Sequence, residues 1–187
     1  MTVERGPHPG VARASLKKRS EAMLACLQLK KEEFSLVLSD DDQLKELNKV
    51  YRGKNKPTDV LSFPMREGDF AGLHAALPSA LLGDVIVSVP TARKQAKEAS
   101  RPLLDELTML IAHGLLHLLG WDHDTKAKDI KMRAETERLC EAANEADSPK
   151  RRLVKKRASA TKVVGAKKQS RAGTRTTSLQ RKQARRT

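Results

Sequence analysis

The chain has 187 residues, with 37 lysines and arginines against 23 aspartates and glutamates, and a formal net charge of +14. This length fits one domain with a tail to spare, and no stretch approaches the ~18 consecutive apolar residues that a membrane span needs. The first ten residues carry no apolar run, which predicts that there is no signal peptide. Cys26 and Cys140 are too few for a disulfide scaffold, so we expect two reduced, half-buried thiols in a soluble, cytoplasmic protein.

The positive charge is concentrated at the C-terminal end. Of the 37 basic residues, 15 lie in residues 148–187, which hold no acidic residue, so residues 1–147 contain 22 basic and 23 acidic residues. The composition predicts a domain at 1–147 and a disordered basic tail at 148–187. Because a polycation binds phosphate backbones without reading sequence, we expect the tail to bind nucleic acid; the alternative is a solubilising segment. Its predicted contact residues are Arg151, Arg152, Lys155, Lys156 and Arg157.

The first half of the domain alternates predicted helices and strands. The expected elements are a helix at about 11–29, a strand at 34–38, a helix after the acidic run 39–42, a turn at 52–58 and a strand at 60–63. The acidic run suits a helix N-terminus because it complements the helix dipole. The apolar stripe expected for that second helix consists of Leu44, Leu47, Val50 and Tyr51.

The second half begins with a predicted loop at 66–79. There follow a strand at 81–89 that is apolar enough to be buried on both faces, and helices at about 91–99, 103–119 and 126–143. The 103–119 segment is apolar almost all round, which places it in the core, and Gly120 ends it. The inner face expected for the last helix is Met132, Leu139, Cys140 and Ala143. This mixture of elements predicts an α+β fold with a small sheet.

Three of the five histidines fall in one short window, His113-Gly-Leu-Leu-His117-Leu-Leu-Gly-Trp-Asp-His123. His113 and His117 are four residues apart, so on a helix they project from one face, and the turn at Gly120 can return His123 towards them. Three imidazoles leave a fourth position open, as in catalytic zinc sites. We therefore predict a metal site at these histidines, with zinc as the expected ion, although nickel or copper would also bind. The other histidines, His8 and His74, are expected to be exposed.

The same spacing matches the H-E-x-x-H-x-x-G-x-x-H pattern of metzincin peptidases. In those enzymes the glutamate is the general base, but position 114 is glycine here. A zinc peptidase is therefore the weakest of the functional alternatives.

A second cluster of chemically useful residues lies in Tyr51-Arg-Gly-Lys-Asn-Lys-Pro-Thr-Asp-Val-Leu-Ser-Phe-Pro64. Arg52 is always charged and can grip a phosphate with two parallel hydrogen bonds. Lys54 and Lys56 are predicted to add nucleic-acid contacts, although each alone is typical of a solvated turn. Asp59 can equally be a turn residue that bonds its own backbone.

Together with Leu82-Gly-Asp-Val-Ile-Val-Ser88, these motifs closely resemble those of the YbeY family of bacterial endoribonucleases, also described as rRNA maturation factors. The resemblance covers roughly residues 11–145. It implies a small mixed sheet, one zinc ion held by His113, His117 and His123, and hydrolysis of single-stranded RNA. It also implies roles in 16S rRNA 3′-end maturation and 70S ribosome quality control. The strand usual at the N-terminus of the family is weak here, and the basic tail lies outside the family pattern.

The resemblance makes Arg52 and His113 the predicted catalytic residues. Its implied partners are single-stranded RNA, rRNA and the small ribosomal subunit, with ribosomal proteins or an assembly GTPase as further candidates. The general base stays open among Asp84, Asp122 and Asp124, and Asp122 is alternatively a cap or an orienting partner of a ligand. The attacking group is either water activated by the metal or the RNA 2′-hydroxyl. A ribosome-assembly or RNA-binding factor with a structural zinc is the main functional alternative.

Overall fold

The computed structural model of the chain describes residues 2–4, 8–65 and 80–148 and contains a small mixed sheet packed against helices. Within these residues the strands are β1 (Thr2–Glu4), β2 (Glu32–Ser39), β3 (Val60–Pro64) and β4 (Ala80–Ser88). Their order is β1-β2-β4-β3, with β3 antiparallel to β4 at one edge and the other neighbours parallel. Despite its weak sequence signal, the N-terminal segment does pair with β2.

The described helices are α1 (Arg13–Cys26), α2 (Asp41–Arg52), α3 (Val89–Glu98), α4 (Leu103–Leu118) and α5 (Lys126–Asp147). Helix α4 contacts β3, β4 and the helices α1, α3 and α5. Ten of its 16 residues are buried, so it is the central core helix that its composition predicts. The prediction of an α+β fold with a small mixed sheet packed against helices is confirmed.

The central strand β4 contributes Leu82, Val85 and Val87 to the core. Asp84 and Ile86 on this strand are only half-buried, so the second face is covered less completely than the apolar run predicts. The other members of the core come mainly from α1, α4 and α5, which join the sheet in one cluster of buried residues.

Helix α2 begins as its acidic run predicts, because the Asp40 side chain accepts a hydrogen bond from the Gln43 amide at 2.9 Å. The predicted apolar stripe is wrong in its last turn, where Val50 is 73% exposed and Tyr51 is 65% exposed. Asn48 occupies an inward position instead, and its amide donates to the Lys56 carbonyl at 2.7 Å. A pattern of apolar residues cannot predict that a polar side chain is buried because it bonds to the following loop.

Helix α5 runs four residues further than the predicted end at 143. Its predicted inner face is confirmed, with Met132, Leu139 and Ala143 buried and Cys140 half-buried. The extra turn is held by Asp147, whose carboxylate lies 3.5 Å from both Lys18 Nζ and Arg19 Nε on α1. The sequence could not supply this pairing because the partners are more than a hundred residues apart.

Three further predictions concern the periphery. Both cysteines are free and half-buried, as expected.

The prediction that His8 is exposed is wrong, because His8 is half-buried. It lies in a turn that is held against the domain by Arg93, which donates a hydrogen bond to the Pro9 carbonyl at 2.7 Å. His74, the predicted 66–79 loop and the basic tail lie outside the described residues. No helix in the described part of the chain has the length and apolar character needed to cross a membrane.

Candidate metal centre

Helix α4 carries the first two histidines of the predicted site. His113 and His117 project from one face of the helix, with ring centroids 4.8 Å apart and their Nε2 atoms separated by 3.2 Å. The helix itself is fixed by buried side chains such as Leu115 and Leu116. The two imidazoles are therefore held by the core of the domain rather than by a loop.

A tight return after α4 adds the third histidine. Gly120 adopts φ +80°, and the Trp121 amide donates to the Leu116 carbonyl at 3.0 Å, which folds the chain back over the helix end. The His123 ring then lies 5.6 Å from the His113 ring and 5.3 Å from the His117 ring, centroid to centroid. The structure thus brings all three predicted ligands together, with ligand atoms within 4.8 Å of one another.

The donor set fits a metal ion in both geometry and charge. Two nitrogens bound to one tetrahedral ion at about 2.0–2.1 Å lie about 3.3–3.4 Å apart, close to the 3.2 Å between His113 and His117. Burial, followed by the charges of His117 and His123, lowers the pKa of His113 to about 4. Burial and His123 also lower the pKa of His117, although a backbone hydrogen bond at Trp121 opposes them. Both rings are therefore neutral near pH 7, which is the form that binds metals.

Gly114, between the first two histidines, lies against the sheet. Its carbonyl accepts a hydrogen bond from Ser62 Oγ on β3 at 3.0 Å. A Cβ atom added at this position would lie 2.7 Å from Val85 Cγ1 and 3.2 Å from Val60 Cγ2. The close approach of α4 to the sheet explains the glycine, and it leaves no room for the glutamate that the peptidase pattern requires.

The histidines face a cleft of about 300 Å³ at the edge strand β3. Arg52, an exposed residue at the end of α2, reaches the same cleft. The remaining lining residues are Thr58, Asp59, Val60, Ser62, Met109 and Leu110. The fold therefore combines a guanidinium group, hydroxyl groups and apolar walls with the three imidazoles, although these residues come from three separate segments of the chain.

Asp59 is a cleft residue whose importance the sequence left undecided. Its Oδ1 accepts from the Val60 amide at 2.9 Å, as a turn residue would, but its Oδ2 also accepts from Gln95 Nε2 on α3 at 3.0 Å. It is the only carboxylate that lines the cleft among the described residues. With both oxygens engaged, Asp59 is suited to hold the start of β3 in place beside His113.

The other predicted site residues lie outside the cleft lining. Lys54 and Lys56 are exposed on the loop that follows α2. Among the candidate general bases, Asp84 is half-buried on β4, and Asp122 accepts a hydrogen bond from the His123 amide at 2.7 Å. Asp124 is exposed and pairs with Lys128 at 2.8 Å. The five predicted tail residues lie outside the described chain.

Fold and site together define a class, an α+β protein with three histidines able to hold a metal ion beside an arginine-containing cleft. A family model described as Endoribonuclease YbeY matches residues 10–144. An Aquifex aeolicus Endoribonuclease YbeY is 43% identical over 127 residues, which span 68% of this chain and 80% of that protein. A Moorella thermoacetica Endoribonuclease YbeY is 50% identical over 109 residues, which span 57% of this chain and 70% of the relative.

Among solved structures, the solution structure of a Thermotoga maritima protein is similar, with a TM-score of 0.53 and 26% identity. The match covers 78% of this chain and 90% of that one. The chain belongs to the YbeY endoribonuclease family, and the resemblance of its motifs to that family is confirmed. Membership makes it an RNA-cleaving hydrolase of a metal-dependent family that acts in rRNA processing.

Proposed function

We propose that the chain is a zinc-dependent endoribonuclease that cleaves single-stranded RNA, in maturation of the 16S rRNA 3′ end and in quality control of 70S ribosomes. The observation that carries the proposal is the presence of three convergent imidazoles and Arg52 in one cleft. An RNA phosphodiester is an anion, so a site that cleaves it needs both electrostatic stabilisation and a means of activating the attacking group.

The proposed ligands of zinc are His113, His117 and His123. When bound there, zinc would supply Lewis-acid polarisation of a phosphodiester oxygen and ease the deprotonation of water. The chain's own contribution is to hold the three rings: α4 fixes two of them, and the turn at Gly120 fixes the third. We assign one ion per chain, because three histidines within 4.8 Å make one coordination site.

Arg52 is proposed to bind the phosphate and to stabilise the negative charge that grows on it during cleavage. Its planar guanidinium offers parallel donors that match two phosphate oxygens. The apolar side chains of Val60, Met109 and Leu110 form part of the cleft wall. Lys54, Lys56 and the tail cations are proposed to add further contacts to RNA phosphates.

The partners proposed are single-stranded RNA, rRNA and the small ribosomal subunit in the cytoplasm, with ribosomal proteins or an assembly GTPase as further candidates. An assembly factor with a structural metal is the alternative function. Three protein ligands favour the nuclease, since structural zinc is normally closed by four. A peptidase is disfavoured because Gly114 cannot be replaced by a larger residue without overlap with Val85.

Cleavage of defined substrates tests this proposal. The purified protein is incubated with a labelled single-stranded RNA, the same RNA in a duplex, and a casein substrate, each with and without a chelator. We expect cleavage of the single strand alone, its loss with chelator and its return when zinc is added back. Chelator-resistant RNA cleavage would contradict the metal-dependent mechanism. Tight RNA binding without any cleavage would favour the assembly factor, and casein cleavage would favour a zinc peptidase.

A further inference from the structure

Two large aromatic residues on the segments that lead into the cleft are exposed. Tyr51 is 65% exposed and Trp121 is 36% exposed, and the chain contains one tyrosine and one tryptophan in total. Aromatic rings usually bury most of their area, as Phe34 does in the core at 4% exposure. Tyr51 departs from this rule, and Trp121 keeps about a third of its surface open.

Both residues adjoin, in sequence, residues that line the cleft, although neither lines it. Tyr51 directly precedes Arg52, and Trp121 is two residues before His123. Because consecutive Cα atoms are 3.8 Å apart, each aromatic Cα lies within about 8 Å of a cleft residue's Cα. The Tyr51 ring also rests edge-on against Phe63 of β3, with centroids 5.0 Å apart and an interplanar angle of 72°. Phe63 therefore supports the Tyr51 ring on one side, and most of the Tyr51 surface remains open to solvent.

The surroundings of Tyr51 are strongly basic. Residues 49–56 contain four cations and no acidic residue, and all four are exposed: Lys49, Arg52, Lys54 and Lys56. Cations alone would suit any polyanion, but an open ring among them suits a polyanion that carries flat bases. Unpaired bases of single-stranded nucleic acid stack on aromatic rings while basic side chains contact the backbone.

We propose that Tyr51 and Trp121 each offer a base-stacking surface for single-stranded RNA, on the two segments that lead into the cleft. Bases adjoining the phosphate at Arg52 stack on these rings, so the strand must be unpaired where it is cut. Paired bases cannot do this, because both of their faces are already stacked within the duplex. The inference rests on the proposed function and deepens it, since it assigns to these two residues the selection of unpaired RNA.

Binding of matched oligonucleotides tests the stacking surface. One ligand is a 2′-O-methyl uridine hexamer, which keeps bases and phosphates but lacks a free 2′-hydroxyl. The other is an abasic hexamer with the same number of phosphates. Tyr51→Ala should weaken binding of the uridine hexamer about 5- to 150-fold and leave binding of the abasic hexamer unchanged. Tyr51→Phe should retain wild-type affinity for both, since stacking needs the ring and not the hydroxyl.

The wild-type protein gives an independent readout, because Trp121 is its one tryptophan. Its fluorescence should be quenched by the uridine hexamer and not by the abasic hexamer. Ile130→Ala, which shortens another exposed apolar side chain on α5, is the matched control and should bind both ligands as wild type does. Thermal unfolding of Tyr51→Ala measures the stability lost with the packing on Phe63. A Tyr51→Leu variant keeps an apolar side chain against Phe63 but has no ring, so it should fold normally and still bind the uridine hexamer weakly.

Equal loss of affinity for both hexamers in Tyr51→Ala, or no loss for either, would overturn the stacking surface. Quenching that is the same with both hexamers would overturn the role of Trp121. Failure of the proposed function is a distinct outcome: the wild-type protein would then cleave no RNA, whatever its affinity for bases. If Tyr51→Ala cleaved RNA at the wild-type rate with an unchanged KM, the stacking role of Tyr51 would be wrong and the proposed nuclease activity would still hold.

Discussion

Arg52 is the residue on which the electrostatic part of the proposed mechanism depends. Replacing it with alanine should lower the rate of RNA cleavage about 10²–10³-fold, the usual effect of losing one group that stabilises transition-state charge. Because Arg52 is exposed and is not one of the clustered histidines, metal content and thermal stability should stay near wild type. Arg52→Lys should restore activity only in part, since a point charge cannot replace the planar fork.

The matched control for this change is Lys45→Ala. Lys45 is also an exposed cation on α2, but it does not line the cleft. Its cleavage rate should equal that of wild type. Wild-type turnover in Arg52→Ala would show that Arg52 is not a catalytic residue.

Cys140 provides a pH-dependent test of the packing of α5 against the core. Burial raises the pKa of its thiol from about 9 to about 11. Between these values the folded protein keeps a proton that the unfolded chain has lost, so the thiol's contribution to stability is complete below pH 9 and disappears as pH rises towards 11. The measurement is the free energy of unfolding in urea at pH 8 and pH 11 for wild type and Cys140→Ala.

The alanine variant removes this thiol while every other titrating group remains. The stability of wild type relative to Cys140→Ala should therefore be smaller at pH 11 than at pH 8. The same difference at both pH values would show that the thiol is not protected by burial.

At the scale of the secondary-structure elements, patterns within a single segment were good predictors. The apolar run 103–119 and Gly120 predict α4 to within one residue, because core burial and a left-handed glycine are properties of the segment itself. The spacing of His113, His117 and His123 predicts their convergence for the same reason. Contacts between different elements and loops could not be predicted, as Asn48, Asp59 and Asp147 show, because each side chain bonds to a partner on another segment.

Gly114 illustrates how packing between elements overrides helix propensity. In an exposed helix, replacing glycine with alanine gains about 0.5–1 kcal/mol. Here the added Cβ would lie 2.7 Å from Val85 Cγ1, so Gly114→Ala should destabilise the protein by about 1–3 kcal/mol, as overpacking of a core does. Urea denaturation would measure this change. The double variant Gly114→Ala, Val85→Ala should lose less than the sum of the two single variants, and strict additivity would contradict the overlap.

At the scale of the whole molecule, the sequence predicts the α+β class but not the order of the strands. The parallel pairing of β1 and β4 on either side of β2 joins segments far apart in the chain, and no local pattern encodes it. The cleft could not be predicted from local patterns either, because Arg52 is 61 to 71 residues from the three histidines and only the fold brings them together. Resemblance to a known family anticipated that grouping where spacing alone could not.

The basic tail is proposed to raise affinity for RNA without taking part in the chemistry. Deleting residues 148–187 removes 15 cations and leaves a chain with 22 basic and 23 acidic residues. We expect metal content and folding to persist, weaker RNA binding, and a log–log salt dependence flatter by about 0.7 per lost single-strand phosphate contact. Turnover at saturating RNA should hardly change, because uniform binding energy acts on KM more than on kcat.

Titration of a labelled RNA at several salt concentrations would measure this effect. An unchanged affinity and salt slope would make the tail a solubilising segment. Loss of metal or of cooperative unfolding would show that the domain does not end at residue 147.

The central claim is that His113, His117 and His123 hold one metal ion on which RNA cleavage depends. Elemental analysis of the purified protein, together with single-stranded RNA cleavage by the same samples, tests it most directly in wild type, His117→Ala and the control His8→Ala. We predict about one zinc per chain and full cleavage for wild type and His8→Ala. His117→Ala should lose both the metal and the activity, with lower thermal stability, because metal binding is coupled to folding. Full metal occupancy in His117→Ala, or cleavage by wild-type protein that contains no metal, would contradict the account.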